Sequence, residues 1–365
     1  MLDAKQSKAR QKRLLGMMAA ERLDAIVVGA PHHVYYLSAF ATGWLHQSAF
    51  VLFADGRSWL CCANAVAEGT AADEVVSYDA QWLATLRQEQ PMVIGNLVRE
   101  LLVDRRVSRL GTDASQVTAQ VALSDDFEFE SIDDALWQQR RVKDSDELAL
   151  IERAIRASEA MYSVARVIVA PGVLELDVFS ALHFAAVKST GEPMTALLGN
   201  DFRCGAGGGP PRDERAAQDG ELYILDLGPT YRGYFADNCR TLAVNRKPTD
   251  AQMRAWEAVT GSFKLIESMA KPGARCRDIY QAIHAHLEEH TGLRMPHHLG
   301  HGIGLQPHEF PHLNPKWDDV LMEGEVFAAE PGVYSPELNA GIRIENNYLV
   351  TSTGVRNLLN SPMEL

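Results

Sequence analysis

The sequence has few cysteines, a minority of positive charges and no long apolar run. Its five cysteines include no Cys-x-x-Cys pair, so neither a disulfide framework nor a thiolate zinc site is predicted. The apolar stretches behind the basic N-terminal residues are too short for a secretion signal or a membrane span, so we expect a cytoplasmic protein. With 35 Lys and Arg against 48 Asp and Glu, the formal net charge is −13, which disfavours nucleic acid and anionic membranes as partners. A small ligand or a cation is compatible with this charge.

The length of 365 residues corresponds to about two domains, and the pattern of predicted secondary structure changes near residue 140. Short apolar strands alternate with helices before that point, as in a small α/β domain. Beyond it, Asp144 and Glu147 have the spacing of a helix capping box and precede a long periodic helix. We therefore predict an N-terminal domain over residues 1–130, a linker over 131–145 and a second domain over 146–365.

Local patterns predict several elements within these domains. In the first domain, a hairpin is expected with its turn at Asp55-Gly56, between the apolar stretches 49–53 and 59–63. The stretch Pro91–Gly95 is predicted as a strand, although it begins with proline. Further helices are predicted in the second domain, at residues 176–189, 250–271 and 276–291.

Two carboxylates lie in the apolar stretches of a predicted hairpin over residues 221–244, which contains a Gly/Pro turn. In a symmetric hairpin centred at 231.5, the midpoint of the two acids, Asp226 and Asp237 are directly opposite each other. Cross-strand partners have Cβ atoms about 4.5–5.5 Å apart, where two like charges are destabilising. A compensating partner is therefore expected.

The same arrangement recurs in a predicted hairpin over residues 326–350. Glu330 and Glu345 flank a midpoint of 337.5, inside the predicted turn at 335–340. A solvated strand face would explain a single acid, but it explains two facing pairs poorly. Since an ionised carboxylate is costly to bury unless it is paired or binds a metal, a shared proton and a divalent cation are the alternatives.

Histidines are concentrated in one part of the chain, because eight of the twelve lie between His284 and His312. Those on the predicted helix 276–291 are interpreted as structural or surface residues. His301 differs, since glycines on both sides let its backbone approach a site closely. One imidazole with four carboxylates suits Mn²⁺, Co²⁺, Fe²⁺ or Zn²⁺ in a two-metal site.

Several motifs of the second domain occur in the order and spacing of a known family. These motifs are Leu225–Gly228, Gly233–Thr241, Gly300–Pro311, Ala329–Tyr334 and Ile342–Glu345. Through them the chain resembles the pita-bread metallopeptidases, specifically the Xaa-Pro dipeptidase (prolidase) and aminopeptidase P branch. The similarity extends into the N-terminal domain and the linker, so it covers nearly the whole chain. It implies an α+β fold class, with a pita-bread (creatinase/aminopeptidase-like) catalytic domain behind a smaller α/β creatinase-like domain.

The resemblance also implies a centre of two divalent metal ions, with manganese favoured over cobalt, zinc or iron. Asp226 would bind one ion, and His301 and Glu330 would bind the other. Asp237 and Glu345 would bridge both ions. A hydroxide held between the ions would then attack the scissile carbonyl.

Further roles follow from the same resemblance. His308 would donate to the developing oxyanion, and His297 would hold the proline side of the substrate. Arg343 would orient the Glu345 carboxylate without binding the metal itself. The implied activity is hydrolysis of the Xaa-Pro bond in short proline-containing peptides, of the dipeptidase or aminopeptidase P type, by a homodimer. The acidic charge separately predicts no nucleic-acid or membrane partner.

The chain departs from the family pattern at two positions. A histidine is usual about 17 residues before the first metal aspartate, where this chain has Gly209. Cys239 stands where threonine is common. The missing histidine keeps two alternatives open: a hydrolase of the same fold that cleaves a non-peptide C–N bond, and a catalytically weak metal-binding homologue. All five ligand positions are present, whereas creatinase-type members have lost metal ligands, and this favours the peptidase.

Overall fold

The structure is a computed structural model that describes residues 1–64, 69–113, 127–194, 199 and 201–365. The chain divides into two compact units, Met1–Arg140 and Arg141–Leu365. In the described part of the chain, no helix is both long and apolar enough to cross a lipid bilayer.

One mixed six-stranded sheet organises the first unit. The strands of the unit are β1 (Ala25–Val28), β2 (Ser48–Phe53), β3 (Ser58–Ala63), β4 (Glu74–Tyr78), β5 (Gln81–Trp82), β6 (Thr85–Leu86), β7 (Arg109–Thr112) and β8 (Glu128–Ser131). The helices are α1 (Ala4–Glu21), α2 (Pro31–Ser38), α3 (Gln90–Asp104) and α4 (Asp133–Arg141), the last of which ends at the boundary between the units. The order in the sheet is β4-β3-β2-β1-β7-β8, while β5 and β6 form a separate small hairpin. Buried apolar side chains of β1, β2 and α3 form a core on the sheet.

Two local predictions for this unit have opposite outcomes. The hairpin around Asp55-Gly56 is confirmed, since β2 and β3 pair in antiparallel register. The strand predicted at Pro91–Gly95 is wrong, because these residues form the beginning of α3. Proline is tolerated in the first turn of a helix, where its missing N–H has no partner to lose. Ile94, Val98 and Leu102 then lie on one buried face at helical spacing.

A buried acid, Asp113, follows β7. Its carboxylate accepts hydrogen bonds from the backbone N–H groups of Gly29 and Ala30, at 2.9–3.1 Å, where α2 begins. His33 Nδ1 lies 3.1 Å from the same carboxylate, and Arg140 Nη1 lies 3.2 Å from His33 Nε2. The acid therefore fixes the backbone just before α2 and joins a buried polar network within the first unit.

Within its described residues, the second unit contains two larger sheets, each covered by a pair of helices, and two two-stranded sheets. Its helices are α5 (Ser145–Ile168), α6 (Glu175–Thr190), α7 (Asp250–Met269) and α8 (Cys276–Thr291), with one 3₁₀ turn at Pro336–Leu338. The strands are β9 (Asp201–Cys204), β10 (Leu222–Leu227), β11 (Thr230–Tyr231), β12 (Tyr234–Phe235), β13 (Asn238–Ala243), β14 (Gly300–Gly302), β15 (Glu309–Leu313), β16 (Val326–Ala329), β17 (Gly332–Ser335), β18 (Ala340–Arg343), β19 (Asn346–Val350) and β20 (Val355–Asn357). The two-stranded sheets are β11-β12 and β17-β18. The predicted capping box of Asp144 and Glu147 is present at the start of α5.

Each helix pair buries its apolar face against one sheet. The α5–α6 pair packs on the sheet β13-β10-β9 through residues such as Met161 and Leu182. The α7–α8 pair packs on the sheet β15-β14-β16-β19-β20 through residues such as Phe263 and Ile283. The helices thus cover one face of each sheet and hold the strands that carry the acids.

The register of the first carboxylate hairpin differs from the prediction. Asp226 is the cross-strand partner of Cys239, not of Asp237. The turn is formed by Arg232 and Gly233, both with positive φ (50° and 88°), so the hairpin is centred one position later than expected. The Gly/Pro pair at 228–229, taken as part of the turn, instead separates β10 from β11. Because the shift moves the partner by two residues, both acids still face the same side of the hairpin.

The register of the second carboxylate hairpin confirms the prediction. β17 pairs with β18 and β16 pairs with β19 about one common centre, with Gly332 opposite Arg343 and Ala329 opposite Asn346. If the pairing of either strand pair is extended by the same register, Glu330 lies opposite Glu345. The two acids therefore meet where both strands are interrupted.

Candidate metal centre

Four buried carboxylates occupy strand ends or strand interruptions in the second unit. Asp226 lies near the end of β10, and Asp237 lies between β12 and β13. Glu330 separates β16 from β17, while Glu345 separates β18 from β19. Where a strand is interrupted, the backbone of the acid is not held by regular cross-strand pairing. The four carboxylate side chains can therefore point to a common position.

His301 lies on β14 beside these acids and is buried. Its Nδ1 is 3.0 Å from the carbonyl of Gly302, which can only accept, so Nδ1 carries the proton and Nε2 presents a lone pair. Nε2 lies 3.6 Å from Asp237 Oδ2 and 3.7 Å from Glu330 Oε1. The ligand atoms of Asp237, His301 and Glu345 all lie within 4.8 Å of one another.

The glycines around His301 are needed for close packing, as expected. A Cβ on Gly300 would overlap the carbonyl of Ala328, and one on Gly302 would overlap that of Phe310. The close approach is therefore between β14 and its two neighbouring strands, and it brings His301 up to the acids.

Glu330 has a partner that sequence reasoning did not assign. His298 Nε2 lies 2.8 Å from Glu330 Oε1. Burial is the largest single effect and opposes ionisation of Glu330, but the hydrogen bond from His298, together with electrostatic interactions with His301 and Arg343, lowers the pKa of Glu330 to about 2. Among the four acids, Glu330 is thus the one whose pKa is lowered rather than raised.

Arg343 connects several acids from the end of β18. Its Nη2 donates to Asp226 Oδ2 at 2.8 Å and also to Asp201. Asp201 is the partner of Asp226 in the β9–β10 ladder. The Nε of Arg343 lies 3.9 Å from Glu330 Oε2. The contacts of Arg343 therefore reach Asp226, Asp201 and Glu330, while its orientation of Glu345 stays a prediction.

A hydrogen-bonded chain runs from Arg343 to His297. Arg343 Nη1 donates to the hydroxyl of Tyr334 at 3.1 Å, and this hydroxyl lies 3.0 Å from His297 Nε2. His297 Nδ1 donates to the carbonyl of His298 at 2.7 Å, so Nε2 accepts the Tyr334 proton. Burial lowers the pKa of His297, which favours this neutral form.

The same three side chains, Arg343, Tyr334 and His297, form part of the wall of a cavity of about 780 Å³. The other residues that line it are Gly205, Ala206, Gly207, Pro296, Ser335, Pro336, Asn339 and Ala340. The cavity therefore opens beside the acids, on the side of Arg343.

His308 is exposed, but its ring lies on that of His301. The two ring centroids are 3.6 Å apart and the planes are inclined by only 9°. The His298 ring lies 5.3 Å from that of His301 and 5.5 Å from that of His308. Three imidazoles thus border the acids on the side of β14.

Burial, and after it mutual repulsion, raises the pKa of three of the four acids. Burial raises the pKa of Asp226 to about 6. Burial, followed by the negative charge of Asp226, raises the pKa of Asp237 well above its ordinary value. Burial and the charge of Asp237 have the same effect on Glu345. The negative charge of this cluster is therefore only partly compensated by Arg343 and His298.

Two buried carboxylate oxygens point to a cation. Within the residues that the structure describes, neither Asp226 Oδ1 nor Glu345 Oε2 has a hydrogen-bond partner. Such orphaned atoms are uncommon, because a buried acceptor loses the hydrogen bonds that water would provide. Oxygen ligands with one imidazole are a suitable donor set for first-row divalent ions. The side chains around His301 therefore fit divalent metal ions.

Gly209, one of the two departures from the family pattern, has a structural counterpart. Gly209 has a φ of +119°, and a Cβ there would meet the guanidinium of Arg203. Its N–H donates to Asp201, the residue that shares Arg343 with Asp226. The backbone at residue 209 thus takes part in the network without a side chain.

Sequence reasoning missed three residues of this region: Asp201, His298 and Tyr334. His298 lies in the histidine-rich segment, so its position was a usable signal. Tyr334 stands in a quoted motif but received no role. Asp201 has no sequence signal, because only the pairing of β9 with β10 brings it to Asp226.

Four buried acids around one imidazole are a donor set typical of a metalloenzyme. Residues 149–352 match the family model described as metallopeptidase family M24, and residues 10–154 match that of the creatinase/prolidase N-terminal domain. The chain belongs to metallopeptidase family M24, which confirms the predicted family and enzyme class. Membership of this family implies divalent metal ions.

Curated relatives support this assignment over most of the chain. A Xaa-Pro dipeptidase of Pyrococcus furiosus is 27% identical over 370 residues, which cover 98% of this chain and 99% of the relative. A Xaa-Pro dipeptidase of Pyrococcus horikoshii is 30% identical over 242 residues, covering 65% of this chain and 68% of the relative.

Solved structures show the same fold. The prolidase from Pyrococcus furiosus superposes with a TM-score of 0.79 at 24% identity, covering 95% of this chain and 99% of that one. An X-Pro aminopeptidase from Thermotoga maritima superposes with a TM-score of 0.81 at 22% identity, covering 97% and 98%. The predicted fold class, a pita-bread catalytic domain with a smaller α/β domain before it, is confirmed.

Proposed function

We propose that the protein hydrolyses the Xaa-Pro bond of short peptides and that two divalent ions take part. The observation that carries the proposal is the buried cluster of four carboxylates around His301, in which two oxygens have no hydrogen-bond partner among the described residues. The substrate class is supported by the relatives, because the Xaa-Pro dipeptidase of Pyrococcus furiosus aligns with 98% of this chain.

The ligands of the two ions are proposed residue by residue. Asp226 would bind one ion, and His301 and Glu330 would bind the other. Asp237 and Glu345 would bind both. The distances of Asp237 and Glu330 from His301, 3.6 and 3.7 Å, support this assignment, because modest side-chain movements would bring these atoms onto a common ion.

The remaining roles concern the substrate. Bound divalent ions would polarise the scissile carbonyl and lower the pKa of a water molecule near it. His308, exposed beside His301, would donate a hydrogen bond to the oxyanion that develops on that carbonyl. His297 would contact the proline side, since it lines the cavity and is held in one tautomer by its two hydrogen bonds.

Short substrates are favoured by the dimensions of the cavity. A volume of about 780 Å³ is in the range of sites for small molecules, roughly 300–1,000 Å³. Arg343 in its wall is charged and lies next to the acids, so an extended apolar ligand would fit poorly there. Manganese as the native metal and a homodimeric state stay predictions from the resemblance.

The activity is tested with metal-free protein that is reloaded separately with Mn²⁺, Co²⁺ or Zn²⁺. Each form is incubated with Xaa-Pro dipeptides, Xaa-Pro-Yaa tripeptides, Xaa-Ala dipeptides and small amides, and release of the N-terminal residue is measured. We expect cleavage of the proline peptides and much less of the Xaa-Ala peptides. No release from any proline peptide with any of the three ions would overturn the proposal, and cleavage of the amides alone would favour the C–N hydrolase.

A pair of histidine variants connects this activity to the site. His308→Ala is expected to retain the metal but to lose roughly 10²–10³-fold in turnover, the usual effect of removing one oxyanion donor. His290→Ala is the matched control, because His290 is exposed on α8 and its Nδ1 bonds to the carbonyl of His286 in the same helix. Equal turnover of the two variants would contradict the role of His308.

A further inference from the structure

His298 lies against the proposed metal ligands, yet none of the roles above uses it. Its Nε2 is 2.8 Å from Glu330 Oε1, and its side chain is 28% exposed. Its ring also lies 5.3 Å from that of His301. It is therefore in direct contact with one proposed ligand and adjacent to another.

The segment that carries His298 holds Glu330 at two points. The backbone N–H of Glu330 donates to the carbonyl of Leu299 at 2.7 Å, and the His298 imidazole bonds to the Glu330 carboxylate. Glu330 itself lies at the interruption between β16 and β17, where no regular ladder fixes its orientation. His298 and Leu299 therefore supply the restraint that pairing would supply elsewhere.

The two carboxylate oxygens of Glu330 have different surroundings. Oε1 accepts from His298 and also lies 3.7 Å from His301 Nε2, while Oε2 lies 3.9 Å from Arg343 Nε. A carboxylate that approaches a cation is oriented by the hydrogen bonds on its remaining lone pairs. The close bond from His298 is the strongest of these restraints on Glu330.

We propose that His298 is a positioning residue that orients the Glu330 carboxylate for a divalent cation and so raises the affinity of the ion shared with His301. This inference rests on the proposed function, since it takes Glu330 as a metal ligand. Hydrogen-bond partners of this kind typically change metal affinity by roughly 10–100-fold when they are removed.

The competing role for His298 is that of a metal ligand. Ligand atoms of His298, His301 and His308 lie within 4.8 Å of one another, so three imidazoles could in principle share an ion. However, the rings of His301 and His308 are parallel at 3.6 Å, and their in-plane lone pairs lie in separate planes. Since Nε2 of His298 is directed at Glu330, the geometry favours positioning.

The test is a calorimetric titration of metal-free, full-length protein with Mn²⁺, without substrate. His298→Ala removes the hydrogen bond, whereas His298→Gln keeps a donor that can reach Glu330. His290→Ala is the matched control, and circular dichroism establishes that each variant is folded. We expect an unchanged number of ions per chain in all variants. One binding step should weaken roughly 10–100-fold in His298→Ala and return to within about threefold of the parent in His298→Gln.

Other outcomes would overturn the inference. Unchanged affinity in His298→Ala would show that Glu330 needs no such restraint, and loss of one ion in both variants would make His298 a ligand. A parent protein that binds no Mn²⁺ would also overturn it. The proposed function can fail separately: a protein that binds two ions and follows the expected pattern, but cleaves no proline peptide, keeps the positioning role and loses the substrate class.

Discussion

Buried acids occur in both units of this protein, but their surroundings differ. Asp113 in the first unit is 0% exposed, and its carboxylate accepts from two backbone N–H groups and lies 3.1 Å from His33 Nδ1. Glu345 in the second unit is 1% exposed, and among the described residues its Oε2 has no hydrogen-bond partner. Asp113 and Glu345 are thus equally buried, but Asp113 has hydrogen-bond donors around its carboxylate and Glu345 Oε2 has none among the described residues.

The difference separates acids that are paired within the fold from acids that we propose bind a cation. An acid surrounded by donors, such as Asp113, is compensated by the protein itself. Glu325 is a second example, since it is 0% exposed and accepts from Arg141 Nε and the Met322 N–H. Among the described residues, Asp226 Oδ1 and Glu345 Oε2 have no such donor, and a bound cation would compensate them.

The largest effect is expected from Asp237→Ala. Removing the proposed bridging carboxylate should abolish binding of both ions, and peptidase activity should fall by roughly 10³-fold or more, since metal ions contribute several kcal/mol to the transition state. Elemental analysis and peptide assays measure the two effects. The fold should survive, because the substitution relieves repulsion between acids. A variant that keeps two ions per chain would refute the bridging assignment.

An effect of another kind is expected from Asp113→Ala. Three donor groups would lose their acceptor, and the free energy of unfolding of the first unit should fall by about 3 kcal/mol. Urea unfolding measures this change, and the metal content should be that of the parent. Asp55→Ala is the control, because Asp55 pairs with Arg57 at the surface and should change stability by less than about 0.5 kcal/mol. Loss of metal in Asp113→Ala would contradict the distinction between acids paired within the fold and acids proposed to bind metal.

Much of the fold could be predicted, because the apolar patterns are strong. The capping box at Asp144 and the second carboxylate hairpin follow from local spacing alone. The first hairpin was misregistered because its turn uses Arg232 with positive φ, a conformation that the sequence does not signal as Asn or Asp would. The error of two residues kept both acids on one face, which is why the prediction of a joint site did not depend on it.

The surroundings of the acids were harder to predict. Asp226, Asp237, Glu330 and Glu345 are conspicuous as acids within apolar sequence, but their hydrogen-bond partners come from distant strands. Asp201 reaches Arg343 only because β9 pairs with β10, and no periodicity reveals that pairing. Side-chain partners of this kind depend on tertiary register, which is the least local property of a sheet.

The smallest effect concerns the metal itself. Adding Mn²⁺ to metal-free protein at about 100 times its dissociation constant should stabilise the second unit by about 2.7 kcal/mol per ion bound, since only the folded state has the site. Asp113→Ala should show the same increment as the parent, because its acid lies in the other unit. Asp237→Ala should show almost none. Thermal unfolding with and without a chelator measures these increments, and an equal gain in Asp237→Ala would mean that the ions stabilise the protein from somewhere other than the acids proposed to bind them.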